Sequence, residues 1–134
     1  MASKEVILDS EFATLWYHPD SKIIHHHFKK YAYGEHFRNV LDKGYEVLKE
    51  NNAQKWLSDD RNISALKKED GEWAETVWVP KVLEAGWKYW AMVLPKKVVG
   101  QMNLRHFINA NAERGIVVNV FSDPEEALSW LESQ

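Results

Sequence analysis

The chain has 134 residues, of which 45% are hydrophobic and 28% are charged, a balance typical of one globular domain and not of a disordered segment. Its 17 basic and 20 acidic residues give a formal net charge of −3, so it lacks the basic surplus of nucleic-acid-binding proteins. The absence of cysteine excludes disulfides, thiolate nucleophiles and cysteine-ligated zinc.

The first third of the chain predicts an antiparallel hairpin followed by a helix. Residues 12–17 and 22–28 are rich in apolar and aromatic side chains, and Pro19 and Asp20 between them supply turn chemistry. A short lead-in strand is expected at residues 6–8. From residue 33 to residue 51 the apolar side chains recur at helical spacing, which predicts an amphipathic helix.

The rest of the chain alternates strand-like and helix-like patterns. Strands are predicted at residues 54–58, 88–94 and 116–121, and helices at residues 72–85, 97–114 and from residue 123 onward. Pro80 should kink the first of these helices, and the polar residues 59–70 predict a loop. Because this alternation implies right-handed crossovers, we predict a single α/β domain over residues 1–134. Its sheet should be mixed but mostly parallel, with an N-terminal antiparallel hairpin and about four helices that cover both faces.

Four stretches in this order of elements resemble the STAS/SpoIIAA-like family, and in particular its STAS/SEC14-like branch of small bacterial proteins. They are FATLW at residues 12–16, QKWLSDDR at 54–61, GWKYWA at 86–91 and VFSDPEEA at 120–127. The resemblance implies a regulatory or ligand-binding module with a protein partner, or with a small apolar or nucleotide ligand. It also implies a phosphoacceptor serine after a central strand, for which Ser58 and Ser64 are the candidates, although the family's Asp-Ser-Ser-Gly motif is absent.

The candidate site lies at the carboxyl ends of the parallel strands, where ligands bind in open α/β sheets. The loops at residues 29–36, 58–64, 95–100 and 122–124 should share this edge. The candidate ligand-binding side chains in or near these loops are Asp59, Asp60, Arg61, Asn62, Tyr33, His36, Trp73 and Lys97. The alternative for the acidic loop is structural, with an aspartate capping the turn and Arg61 paired to it.

Three consecutive histidines suggest a metal site. His25 and His27 should lie on one face of their strand and His26 on the other, so zinc would need a third ligand such as His18 or Glu11. The alternative is a set of solvated histidines on an exposed edge hairpin, and we predict neither a metal nor a cofactor.

Three functions remain open. The first is the non-enzymatic binding or regulatory module, because no Gly-x-Ser-x-Gly or His-Glu-x-x-His motif is present. The second is a carrier of lipid or another apolar small molecule, with Trp73 and Trp78 in its pocket and the Pro80-interrupted helix as a lid. The third is a hydrolase with Asp59 or Asp60 as base and His36 as its partner.

The sequence also leads to expectations about cellular location and self-association. The sequence shows no signal peptide and no apolar run of the ~20 residues that a membrane span needs, so we expect a cytoplasmic protein. The edge of the hairpin offers backbone groups through which a homodimer could form, although its histidines and Lys22 oppose this.

Overall fold

The computed structural model describes residues 4–63 and 65–134, apart from the side chain of Asn103. The elements in chain order are β1 (Glu5–Asp9), β2 (Ala13–His18), β3 (Ile23–Phe28), α1 (Glu35–Glu50), β4 (Lys55–Asp59), α2 (Lys68–Trp73), a π-helical turn (Ala74–Trp78), α3 (Val79–Ala85), β5 (Tyr89–Val93), α4 (Val98–Glu113), β6 (Val117–Phe121) and α5 (Pro124–Glu132). Among these helices, none has the length and apolar character that crossing a membrane requires.

The six strands form one sheet in the order β1-β2-β3-β4-β5-β6. Strands β1 to β3 pair antiparallel, and β3 to β6 pair parallel, which confirms the predicted mixed α/β fold. The spatial order follows the chain order throughout, so the crossovers all advance in one direction. The strand order therefore does not reverse at any point in this sheet. In α/β sheets a reversal opens a crevice that binds ligands, so a ligand site in this protein must be formed in another way.

The two faces of the sheet are covered unequally. On the first, here called the helical face, apolar side chains of the strands pack in one cluster with α1, α3 and α4. On the second, the α5 face, only α5 packs on strands β4 to β6, through Ala127 and Leu131 against Leu57 and Ala91. Asp123 begins this helix as predicted, because its carboxylate accepts a hydrogen bond from the Glu125 N–H at 3.1 Å.

Helix α1 approaches the sheet closely at one glycine. The predicted apolar stripe is buried, and Gly44 lies in it directly against the indole ring of Trp56. A Cβ atom at position 44 would overlap this ring, since it would lie 2.9 Å from Cζ2 and closer still to Cη2. Gly44 is therefore required for the contact between α1 and β4 and not for a special backbone conformation.

The predicted kink before Pro80 is a π-helical turn. Helix α2 begins at Lys68, four residues earlier than predicted, and continues through the turn into α3. The N–H of Val79 bonds to the carbonyl of Ala74, five residues back. Pro80 has no N–H to donate, so it cannot join the regular hydrogen-bond pattern of an α-helix. The π-helical turn just before it accommodates Pro80 without ending the helix.

The interpretation of the histidines as solvated groups on an exposed edge is wrong. Strands β2 and β3 lie inside the sheet, because β1 pairs with β2 on one side and β4 pairs with β3 on the other. His25 and His26 are consequently buried, with 9% and 3% exposure. The edge strand on the hairpin side of the sheet is β1, which has a bulge between Val6 and Leu8.

Candidate functional site

The carboxyl ends of the parallel strands gather their loops along one edge of the sheet. His27, Asp59, Val93 and Phe121 are in register at the ends of β3, β4, β5 and β6. Backbone hydrogen bonds then join neighbouring loops, for example from the Lys96 N–H to the carbonyl of Arg61 at 3.2 Å. The predicted common edge is confirmed.

The adjacent carboxylates Asp59 and Asp60 point to opposite faces of the sheet. Oδ2 of Asp59 lies on the α5 face, 3.2 Å from Nη2 of Arg61 and 3.2 Å from Nδ1 of His27. The second contact is close, but its geometry does not meet that of a well-formed hydrogen bond. Burial alone would raise the pKa of Asp59, but His27 and Arg61 outweigh it and the pKa is lowered. Asp59 thus takes the structural role, paired with Arg61.

Asp60 lies on the helical face and is bound to an imidazole. Its Oδ1 lies 2.9 Å from Nε2 of His26, and both residues are buried, with 5% and 3% exposure. Behind the imidazole, the indole Nε1–H of Trp56 donates to Nδ1 of His26 at 3.0 Å. Because an indole nitrogen can only donate, Nδ1 must be the unprotonated acceptor and Nε2 must carry the hydrogen. His26 is therefore neutral in this arrangement and donates to Asp60.

Asp60 forms part of the wall of a cavity between the helical face of the sheet and the helices. The residues lining it are His26, Phe28, Phe37, Leu41, Ser58, Asp60, Leu66, Ala74, Trp78, Trp87, Trp90, Met92, Leu104 and Phe107. The cavity has a volume of about 40 Å³, which is room for about three water-sized groups. The wall is apolar except for His26, Ser58 and Asp60, which lie side by side on neighbouring strands.

The aromatic part of the wall is a connected arc. Trp78, Trp87, Trp90 and Phe107 contact one another in turn, with ring centroids 5.4, 5.5 and 5.8 Å apart and rings close to perpendicular. Such edge-to-face pairs hold each ring in a defined orientation. Trp56 stands behind the arc, perpendicular to Trp78 at 5.1 Å.

The indole N–H groups of the arc are used within the protein. Trp78 donates to the Leu41 carbonyl at 2.8 Å, and Trp87 donates to the Tyr89 carbonyl at 3.1 Å. Trp90 donates to Oγ of Ser58 at 2.9 Å. The arc therefore offers the cavity its rings but not its N–H donors.

The cavity adjoins a surface groove between α2 and α4. Leu66 and Phe107 line both spaces, and Glu72, Glu75 and His106 are among the residues that line the groove only. Leu66 and Phe107 thus stand between the cavity and solvent on this side. They are half-buried, as side chains at such a boundary must be.

The other predicted site residues lie outside the cavity. Tyr33 is exposed, with Nζ of Lys67 5.1 Å from its ring centroid. His36 stacks on Phe12 with the ring centroids 4.0 Å apart. Trp73 makes an edge contact with Phe37, on the far side of the π-helical turn from Trp78.

The remaining predicted site residues lie on the rim of the sheet or within a strand. Asn62 and Lys97 lie together on the exposed rim beside Arg61. Ser58 lies within β4 and not in the loop; it is 4% exposed and its hydroxyl accepts the Trp90 hydrogen bond. The other candidate phosphoacceptor, Ser64, lies outside the described residues.

Sequence reasoning missed His26, Trp87 and Trp90 as members of one site. A signal was present for His26, because its neighbours two positions away in the strand are Ile24 and Phe28, which mark a buried face. Trp90 carries the same signal, since it alternates with Met92 along β5. Nothing in the sequence indicates that these side chains leave a space between them.

The α5 face carries a pair of buried imidazoles. Nε2 of His18 lies 3.1 Å from Nδ1 of His25. Burial lowers the pKa of His25 to about 3, with a contribution from His18, and burial lowers the pKa of His18 as well. Glu11, the other proposed third ligand, pairs with Lys30 at 3.0 Å. Within the described residues, no three histidine or acidic side chains are placed to hold a metal ion.

The fold and the cavity together define a class: a one-sheet α/β protein with a small aromatic cavity between its sheet and helices, edged by a buried carboxylate at the carboxyl end of β4. No family model, no curated protein and no solved structure matches the chain. The kinship with the STAS/SpoIIAA-like family therefore stays a prediction.

Proposed function

We propose that this protein is a non-enzymatic module of STAS-like type that binds a small molecule in the aromatic cavity. The observation that carries the proposal is the placement of three buried polar groups, on His26, Ser58 and Asp60, in an otherwise apolar wall. Binding sites for small molecules usually have this composition, with many apolar contacts and a few placed polar groups. Asp60, at one end of the cavity, directly follows β4 at the carboxyl edge of the sheet, where α/β proteins bind ligands.

The size of the cavity favours a compact ligand over a lipid. An acyl chain needs a long apolar channel, whereas this cavity has room for about three water-sized groups. A larger ligand would require Leu66 and Phe107 to move apart and join the cavity to the groove between α2 and α4. The carrier function therefore has less support than the binding of a small polar molecule.

The hydrolase alternative has no support from the geometry. Asp60 contacts His26 and not the proposed partner His36, which stacks on Phe12 instead. Both ring nitrogens of His26 are engaged, one by Trp56 and one by Asp60. An imidazole in this position orients a carboxylate, and it has no free nitrogen with which to accept a proton from a substrate.

The proposal can be tested through the tryptophan side chains themselves. A library of small cationic, anionic and neutral fragments would be screened by following the indole N–H resonances of uniformly ¹⁵N-labelled protein. A ligand of the cavity should shift the resonances of Trp78, Trp87 and Trp90, and leave those of Trp16 and Trp130 unchanged.

A cavity-filling variant supplies the second half of the test. Ala74 lines the cavity, so Ala74→Leu should occupy the space and abolish the shifts. Ala112→Leu makes the same substitution on the exposed surface of α4 and should bind as the wild type does. Binding that survives in Ala74→Leu, or fragments that shift only Trp16 or Trp130, would place the ligand site elsewhere.

A further inference from the structure

We propose that the ligand of the aromatic cavity is a compact organic cation, such as a small protonated amine, held by Asp60 and the surrounding aromatic rings. This inference rests on the proposed function, because it assigns the chemical class of the molecule that binds in the same cavity. Four observations support it, and they concern charge, hydrogen bonding, the aromatic wall and the number of oxygen ligands.

The charge of Asp60 has no cationic partner among the described residues. Its one ion-pair distance, 2.9 Å, is to His26, and the hydrogen bond from Trp56 keeps that imidazole neutral. A protonated His26 would have hydrogens on both ring nitrogens and would oppose the indole N–H. The nearest arginine in sequence, Arg61, points to the other face and pairs with Asp59. A buried carboxylate without a counter-charge is costly, and a cation in the cavity would supply that counter-charge.

The hydrogen-bonding groups of the cavity wall also select a donor and not an acceptor. The indole N–H groups of Trp78, Trp87 and Trp90 are bonded within the protein, and the Nε2–H of His26 is bonded to Asp60. The carboxylate of Asp60 can accept further hydrogen bonds, since it has two oxygens and about four lone-pair sites. An anionic ligand would therefore meet a like charge and few donors, whereas an ammonium group would meet an acceptor of opposite charge.

The aromatic arc provides the second half of a cation site. Indole rings carry negative charge on their faces and attract cations, most strongly where water is excluded. The three tryptophans and Phe107 surround the space beside Asp60 and are held in place by their mutual contacts. A carboxylate together with several aromatic rings is the arrangement that recognises substituted ammonium ions.

The same wall disfavours an inorganic cation. Calcium requires six to eight oxygen ligands and magnesium a nearly octahedral set. The polar oxygen atoms of side chains around the cavity belong to Asp60 and Ser58 alone, and no group of three metal-ligating side chains occurs in the described part of the chain. The wall otherwise consists of carbon, which suits the methyl or methylene groups of an organic cation.

The test compares molecules of the same shape that differ in charge. Ethylammonium and ethanol form one matched pair, and methylammonium and methanol form a smaller one, so that no probe exceeds three heavy atoms. Formate serves as the anionic comparison. Each would be titrated into the whole, untagged protein, with affinity read from the indole N–H resonances and from isothermal titration calorimetry. At least one cation should bind about tenfold or more tightly than its neutral partner, and formate should not shift the cavity tryptophans.

Matched variants then connect the preference for charge to one carboxylate. Asp60→Asn keeps an oxygen that can accept from His26 but removes the negative charge, so it should abolish the advantage of each cation over its neutral partner. Asp59→Asn removes the same charge from the neighbouring residue on the opposite face, and it should keep the cation preference. The comparison in the wild type decides the question even if one of the variants does not fold.

The outcomes separate this inference from the proposed function. If the cations and their neutral partners shift Trp78, Trp87 and Trp90 with equal affinity, the cavity binds ligands but the assignment of a cation is wrong. If the anion binds best, the assignment is likewise wrong. If none of these molecules shifts the cavity tryptophans while other fragments of the library do, the inference is wrong and the proposed function stands. If no fragment of the library shifts them, both are wrong.

Discussion

Replacing Gly44 by alanine tests how closely the helices must approach the sheet. A Cβ at this position would lie 2.9 Å from Cζ2 and 3.0 Å from Cζ3 of Trp56, and nearer still to Cη2. The indole ring is fully buried and held by its hydrogen bond to His26, so it has no space into which to retreat. The overlap must be relieved by moving α1 away from the sheet or by breaking the contact between Trp56 and His26.

The magnitude follows from three opposing effects. Alanine is favoured over glycine inside a helix by about 1 kcal/mol. Overpacking a well-filled core costs roughly 1–3 kcal/mol, and leaving the Trp56 N–H without its acceptor would cost a further ~1–3 kcal/mol. With both costs incurred and the gain in helix propensity subtracted, we expect Gly44→Ala to lower the free energy of unfolding by about 1–5 kcal/mol.

Gly71→Ala is the matched control for this substitution. Gly71 lies inside α2, and a Cβ there would have no heavy atom within 4 Å. The control should gain about 0.5–1 kcal/mol from helix propensity alone. Urea unfolding followed by circular dichroism would give both values, and melting temperatures should move in the same directions, by roughly 3–5 °C per kcal/mol. A Gly44→Ala protein as stable as the control would refute the close approach of α1 to Trp56.

Three further outcomes are expected from unfolding experiments. Asp59→Asn should lose about 1–3 kcal/mol at neutral pH, whereas Asp60→Asn should be neutral or gain up to ~2 kcal/mol because it removes a buried charge that lacks a cationic partner. Because the pKa of Asp59 is lowered in the native protein, its contribution to stability is complete above its unfolded pKa of about 4 and is lost below it. The free energies of unfolding of the wild type and Asp59→Asn should therefore converge in acid. Parallel plots of stability against pH would contradict this. Because the pKa of His25 is lowered to about 3 in the native protein, the unfolded chain binds one more proton at this residue as the pH falls below 6.5. The free energy of unfolding should then fall by up to ~1.4 kcal/mol per pH unit, and less steeply in His25→Gln. Asp123→Ala should cost about 1 kcal/mol through the lost cap of α5, and an unchanged unfolding midpoint would show that the cap contributes nothing.

The order of the elements could be predicted because each depends on local patterns. Alternation of strands and helices, the turn at Pro19 and the capping sequence at Asp123 are short-range signals, and they predicted the mixed sheet and the common edge of its loops. The burial of the histidines could not be predicted from local patterns alone. It depends on which strands lie at the edges, and β1 was predicted only as a short lead-in to the hairpin. The three histidines lie inside the sheet because β3 pairs with β2 on one side and with β4 on the other, and β1 makes β2 an interior strand as well.

The cavity could not be predicted because its wall depends on helical phase and on packing distances. Trp73 and Trp78 are five residues apart, which in a regular helix is about 140° beyond a full turn, so the two cannot share a face. The sequence does not show which of them faces the sheet, and the π-helical turn changes the phase again. The structure places Trp78 in the cavity wall and Trp73 outside it.

Trp56 connects the stability of this protein to its proposed site. Its ring is the surface on which Gly44 rests, and its N–H determines which nitrogen of His26 carries the hydrogen. His26 in turn orients Asp60 without neutralising its charge. A protein selected for stability alone would gain by pairing or removing that carboxylate, since buried charges are costly when unpaired. Its presence, within an arrangement that keeps the neighbouring imidazole neutral, is the feature that the proposed cationic ligand would explain.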